Sequence, residues 1–229
     1  MDQGEGEASV NVYSLGRLVD HDPASRTFAA PRATVQRSVL WGHHAPVLDQ
    51  GALGSCTGNA TAQLVNTDPF AASRPKGFLS EAAAVDIYSL ATKLDGIPHN
   101  TYPPTDGGSS GLGAAKAGVR LGYFSGYRHT FSFDAFCGAL QLSPLIVGTN
   151  WYSDQFTPDK QGFVWPHGTL DGGHEYLALG ISYETQVLTF LNSWGEGWGR
   201  AGRFYMTFKA FAALLADQGD ATAPTPKAP

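Results

Sequence analysis

The sequence predicts an α+β fold, on three observations. Helical spacing of apolar residues is confined to the part of the chain before about residue 142. Short β-branched and aromatic runs separated by turn residues begin after Pro144. Hydrophobic residues make up 42% of the 229 and charged ones 15%, the balance of a globular chain rather than a disordered one.

Taken in order, residues 1 to 35 carry little periodicity, with Pro23 and Pro31 between short apolar pieces, and read as an extended arm. A helix is expected over Cys56–Val65, where Thr57, Gly58 and Asn59 are tolerable in a first turn. A better one runs from a Ser80 cap to Leu94, with Ala84, Ile87, Tyr88 and Ala91 on one face and Gly96 beyond its end. Asp106-Gly107-Gly108-Ser109-Ser110-Gly111-Leu112-Gly113 opens a short helix reaching about Leu121. Ser132 caps the next, whose apolar face is Phe133, Phe136, Cys137 and Leu140; Cys137 reads as a buried core thiol. Strands follow at Leu145–Thr149, Glu175–Ser182, Gln186–Leu191 and Arg203–Phe208. An amphipathic piece, Lys209–Ala216, precedes a tail, 217–229, whose three prolines predict disorder. The domain proper is thus placed at 36–216.

The chemistry gathers around Leu48-Asp49-Gln50-Gly51-Ala52-Leu53-Gly54-Ser55-Cys56-Thr57. It sets one cysteine where a glycine-rich turn enters a helix. There, unpaired backbone N–H groups and the helix dipole favour a thiolate. The Gln50 amide, six residues earlier, is placed to hold an oxyanion together with the Cys56 backbone N–H. His174 follows Cys56 by 118 residues, in Gly172-Gly173-His174-Glu175-Tyr176. Asn192 follows it by 136, in Asn192-Ser193-Trp194-Gly195-Glu196-Gly197-Trp198-Gly199. Singly, a histidine after two glycines or an Asn-Ser turn is ordinary. Jointly, their order is informative.

These residues resemble the papain-like cysteine peptidases at three places over about residues 45–208. The family's nucleophile motif is Cys-Gly-Ser/Ala-Cys-Trp/Tyr, with histidine and asparagine roughly 130–150 residues on. Here Leu53 replaces the first cysteine and Thr57 the aromatic, a variant that looks like the bacterial and viral side of the family. The resemblance implies a two-lobed fold. A helical lobe over about 50–142 would face an antiparallel, barrel-like β lobe over about 143–208, with the active site in the cleft between. It implies an endopeptidase in which Cys56 forms an acyl-enzyme, His174 is general base and acid, Asn192 orients the imidazole and Gln50 completes the oxyanion site. Trp194 would shield the Asn192–His174 bond. Gly107 and Gly108 would give a substrate peptide access to backbone hydrogen bonds. Secreted members carry a long helical prosegment, for which 35 residues are too few. Glu175 stands where the family has a small or apolar residue, and strand alternation should turn it away from His174.

Other classes are disfavoured. Net charge is −5 with no run of lysine or arginine, against nucleic-acid or anionic-membrane partners. No apolar run approaches a membrane span, and Met1–Val10 lacks the pattern of a signal peptide, so a soluble, non-secreted, cytoplasmic monomer is expected. Two cysteines make no disulfide framework, and both are expected reduced. The glycine cluster lacks the lysine of a phosphate loop, the Asn59-Ala60-Thr61 sequon reads as chance, and His43 and His44 have no suitably spaced ligands, so neither cofactor nor metal is expected. Two rival readings remain: a cysteine amidase acting on cell-wall peptides, and a non-catalytic binding protein on a peptidase scaffold.

Overall fold

The computed structural model describes residues 13–21, 35–73 and 77–227. Five helices are present among them: α1 (Cys56–Val65), α2 (Glu81–Leu94), α3 (Gly111–Arg120), α4 (Phe133–Leu140) and α5 (Phe208–Ala216). The strands are β1 (Arg17–Leu18), β2 (Val39–Leu40), β3 (Ser109–Ser110), β4 (Gly126–Thr130), β5 (Leu145–Tyr152), β6 (Leu170–Ser182), β7 (Val187–Leu191), β8 (Arg203–Thr207) and β9 (Asp220–Thr225). Seven of them form one sheet in the order β4-β9-β5-β6-β7-β8, with β2 added alongside β6. Its pairings are all antiparallel, whereas β1 and β3 pair in parallel outside it.

Both faces of the sheet are covered, because successive side chains of a strand point to opposite sides. Ile146, Leu177, Leu179 and Leu191 pack with Leu64, Ile87 and other residues of α1, α2 and α3. Val147, Tyr176, Phe190 and Phe204 pack instead with Phe136 of α4 and Phe211 of α5. Helix α4 therefore packs with the strands that follow it rather than with the helices before it. The caps follow the sequence: Ser132 Oγ accepts from the Ala135 N–H, and Thr207 Oγ1 from that of Ala210. Ser80 sits at the N-cap of α2 in extended conformation without a side-chain bond, and Gly96 leaves that helix at φ +74°.

Helix α1 is buried on every side. Its residues of low helix propensity are explained by what surrounds them. A Cβ on Gly58 would strike the Ala84 carbonyl of α2, so glycine sets how closely the two helices approach. Asn59 Nδ2 donates to Glu81 Oε1 at 2.6 Å, and Thr57 Oγ1 shares a 2.6 Å bond with Ser109 Oγ.

The expectation of a disordered tail is overturned. Asp220–Thr225 forms β9, inserted between β4 and β5, and Asp220, Ala221 and Thr222 are buried. Pro224 is accommodated near the end of the strand, and Ala221 packs in the core. Of the expected arm, residues 1–12 and 22–34 lie outside the described residues; 13–21 lie along the site described next. No helix among the described residues is long and apolar enough to cross a membrane.

Candidate active site

Strand β6 is thirteen residues long, starting at Leu170 rather than at Glu175 as the alternation predicts. Strand β7 covers one of its edges only from Leu177 onward, while β5 covers the other from Leu170 to Ala178. The half-covered stretch Gly172-Gly173-His174-Glu175 faces α1, and the site forms there.

His174 is fully buried, and its Nε2 lies 2.7 Å from Asn192 Oδ1. The same oxygen accepts from the Ser193 N–H at 2.8 Å, which fixes the amide with its oxygen toward the ring. Nε2 is therefore the protonated nitrogen, leaving Nδ1 as the basic one, buried and without a hydrogen-bond partner among the described residues. Trp194 stacks on the imidazole at 4.6 Å between centroids. Trp151 stands edge-on to it at 4.9 Å, a neighbour sequence reasoning did not find. Only the extension of β5 beyond Thr149 brings it there.

Gln50 is oriented just as firmly. Its Oε1 accepts from Ser193 Oγ at 2.7 Å, and its Nε2 donates to the carbonyls of Leu53 (2.9 Å) and Ser14 (3.2 Å). Ser193 thus positions both the Asn192 amide, which holds the imidazole, and the Gln50 amide. Nothing in its Asn-Ser context announces this.

Cys56 begins α1 and is fully buried. The N–H groups of Glu175, Thr57 and Gly16 bear on its sulfur and pull its pKa down, which places the thiol beside the residue next to His174. Burial outweighs them and, with the Glu175 carboxyl adding to the rise, pushes the thiol up to about 12. Burial likewise drives His174 down to about 4, against the pull of the Asn192 bond. Burial thus works against the thiolate expected from the helix N-terminus and against a protonated imidazole alike.

The reason is the segment Tyr13–Leu18, which lies over them. Gly16 donates its N–H to the Gly173 carbonyl at 3.2 Å and accepts from the Ser109 N–H at 2.8 Å, so this strap is hydrogen-bonded on both sides. Tyr13 stacks on Trp194 at 4.7 Å between centroids. Glycine makes the fit possible, since a Cβ on Gly16 would strike the Gly54 carbonyl and one on Gly173 the Arg17 carbonyl.

The glycine pair has a different part from the one expected. The Gly108 N–H is taken by Tyr88 Oη (3.0 Å) and its carbonyl by Asn100 Nδ2 (2.7 Å), so neither is free to pair with an extended chain. Ser109 supplies that pairing instead, and Gly108, at φ +83°, leaves room for Gly16 against it. Gly107 abuts Asn100.

Glu175 does turn away from His174, toward the side of the sheet occupied by Leu177 and Leu179, and its charge bears on Cys56 rather than on the imidazole. Both cysteines are free and buried, Cys137 among the core residues of α4 as expected. Among the described residues no group of three or more His, Cys, Asp or Glu is placed to hold a metal ion. His44 Nε2 is 2.7 Å from Asp68 Oδ2, and His43 Nδ1 is 2.9 Å from Thr67 Oγ1.

No protein-family model and no curated protein matches the sequence. Solved structures do match it in three dimensions. Xylellain, a cysteine protease from Xylella fastidiosa, superposes with a TM-score of 0.77 over 95% of this chain and 97% of its own, at 20% identity. The chain has the papain-like fold. The Carica candamarcensis cysteine protease CMS1MS2, crystallised with E-64, shares this papain-like fold at a TM-score of 0.59 and 19% identity, over 85% of this chain and all of that one. Bromelain from Ananas comosus, in complex with the same inhibitor, gives 0.60 and 18%, over 84% of this chain and all of its own. Within this papain-like fold, Cys56 stands at the start of a buried helix, and His174 keeps one ring nitrogen without a hydrogen-bond partner among the described residues.

Proposed function

We propose that this chain is a cysteine endopeptidase with the papain-like two-lobed arrangement, α1 to α3 forming one lobe and the sheet the other, and peptide lying in the cleft between. The observation that carries the reading is the His174–Asn192 bond, which leaves Nδ1 as the only basic ring nitrogen within a papain-like fold whose buried helix begins at Cys56.

In this reading Nδ1 takes the Cys56 proton as the sulfur attacks a peptide carbonyl carbon. The oxygen of the tetrahedral intermediate is held by the Cys56 N–H and by Gln50 Nε2, whose bond to the Ser14 carbonyl is given up when the strap leaves. Collapse breaks the C–N bond, and His174 returns the proton to the leaving amine. A water deprotonated by the same nitrogen then hydrolyses the thioester, releasing the acid and restoring the thiol. Asn192 keeps the ring in the required tautomer throughout. Every group used belongs to the chain, and the substrate is a peptide or protein.

Incubation with a peptidyl epoxide tests this. One adduct at Cys56 is expected by mass spectrometry, absent in Cys56→Ser and lost in His174→Ala. Alkylation at the rate of a model thiol, indifferent to His174→Ala, would instead leave a scaffold without catalysis.

A further inference from the structure

Resting on the peptidase reading, we propose that the cleft beside Cys56 holds a pocket for a basic side chain, floored by Glu175 and Asp220, which makes the enzyme selective for peptides carrying arginine or lysine next to the bond cleaved. The chain's own Arg17 fills that pocket in the structure.

The pocket is built by three adjacent strands. Gly148 on β5 pairs with Glu175 on β6 to one side and with Asp220 on β9 to the other, so the three side-chain positions stand in a row on one face. The middle one is glycine, and the row becomes a slot between two carboxylates. A Cβ on Gly148 would come within 2.6 Å of Glu175 Oε2 and 2.5 Å of Arg17 Nε, so the missing side chain is where the guanidinium lies. Gly111, at the start of α3, closes the slot: a Cβ there would come within 2.7 Å of Glu175 Oε1 and 3.5 Å of Asp220 Oδ2. Glycines at two walls and acids at two others make a space shaped and charged for a cation on a long stem.

Arg17 uses the slot only in part. Its Nη2 bonds Asp220 Oδ1 at 2.5 Å and the Gln218 carbonyl at 2.7 Å. Its Nε and Nη1, and Glu175 Oε2 opposite, are buried without hydrogen-bond partners among the described residues. His21 Nε2 adds a 3.6 Å contact to Asp220. A buried Asp220 carboxylate is costly to leave without a cation, and burial beside that charge holds the Glu175 carboxyl protonated up to about pH 8, which accounts for a strap that carries its own arginine. The site is adjacent to the chemistry, because Gly16, the preceding residue, abuts the Gly54 carbonyl two residues before Cys56, and the Arg17 carbonyl lies against Gly173 beside His174. The same ionic partners are out of reach for a leucine or glutamate side chain, one for lack of charge and the other through repulsion.

The test uses the full chain with Arg17→Ala, which vacates the slot, and quenched peptides in which a single Arg, Lys, Leu or Glu is walked across four positions flanking the bond. At one position Arg and Lys are expected to exceed Leu by roughly ten- to a hundredfold in kcat/KM. Adding Asp220→Asn and Glu175→Gln should abolish that preference while Leu peptides are still cut. Equal cleavage of all four overturns the pocket and leaves the peptidase standing. A second measurement needs no turnover: N-acetylarginine amide should raise the Tm of Arg17→Ala, and N-acetylnorleucine amide should not. If no peptide is cut, the peptidase reading fails and this rescue alone decides the pocket, equal effects of the two amides overturning it.

Discussion

At the scale of single residues, the site rests on two carboxamides whose orientation is set by one serine. Removing Asn192 would leave His174 Nε2 buried without an acceptor and free the ring to adopt the wrong tautomer. Asn192→Ala is expected to lower kcat by about a hundredfold with little change in KM, the range general acid–base groups contribute; initial rates over a peptide series would check it. Ser193→Ala deletes a neutral hydrogen bond to Gln50, of order 1 kcal/mol, and is expected to cost about fivefold in kcat. A KM effect of that size, with kcat intact, would mean that Gln50 contacts substrate rather than the developing oxyanion. The His174–Asn192 pair and the placing of Cys56 at a helix start could be read from the sequence, because chain order and the tryptophans after Asn192 are written in it. The parts of Ser193 and Trp151 could not, since their partners lie 143 positions away in one case and on the neighbouring strand, paired only by the fold, in the other. Gly108 was read as a hydrogen-bonding site because nothing in the sequence reveals that Tyr88 and Asn100 have already claimed its backbone.

At the scale of elements, all five helices were read from periodicity, caps and turn residues, whereas of the strands only β5 to β8 were located, β5 and β6 cut short, and β1 to β4 and β9 were not read. Strand β6 begins five residues early because Gly172 and Gly173, poor strand formers alone, are needed where the strap approaches. Strand β9 escaped notice because three prolines suggest disorder, yet it is Asp220 on that strand that partners Arg17. Thr222→Pro would remove a ladder N–H between β4 and β5 and is expected to destabilise the chain by about 3 kcal/mol or more, read as a lowered urea midpoint. The strap itself depends on Gly16. Gly16→Ala places a methyl group against the Gly54 carbonyl, and there is no flexible side chain to yield. Eviction of Tyr13–Leu18 is the expected outcome, with iodoacetamide labelling of Cys56 at pH 8 rising at least tenfold and peptide cleavage rising with it. Unchanged labelling at an unchanged Tm would mean that the thiol is buried by something other than the strap.

At the scale of the whole molecule, the buried groups of the site tie stability to pH, and their signs can be set out one by one. His174 is held near 4 against an ordinary 6.5, so the unfolded chain binds a proton that the folded one refuses, and stability is lost as pH falls between those values. Glu175 is displaced the other way, by burial and the Asp220 charge against the pull of Arg17, up to about 8 from 4.5. Over that interval the folded chain keeps a proton the unfolded one has released, and stability falls as pH rises. Cys56, raised from 9 to about 12, extends the loss into the alkaline range. Between 4.5 and 6.5 Glu175 opposes two histidines, since burial lowers His43 to about 4 as well, and stability falls toward acid; from 6.5 to 8 Glu175 acts alone. Urea midpoints should therefore be highest near pH 6.5, decline toward acid and drop by the equivalent of roughly 2 kcal/mol between pH 6.5 and 8. Glu175→Gln, which cannot ionise, should remove most of that drop while sparing the acid limb set by the two histidines. The same drop in wild type and variant would show that Glu175 is not the group whose protonation holds the strap and sheet together.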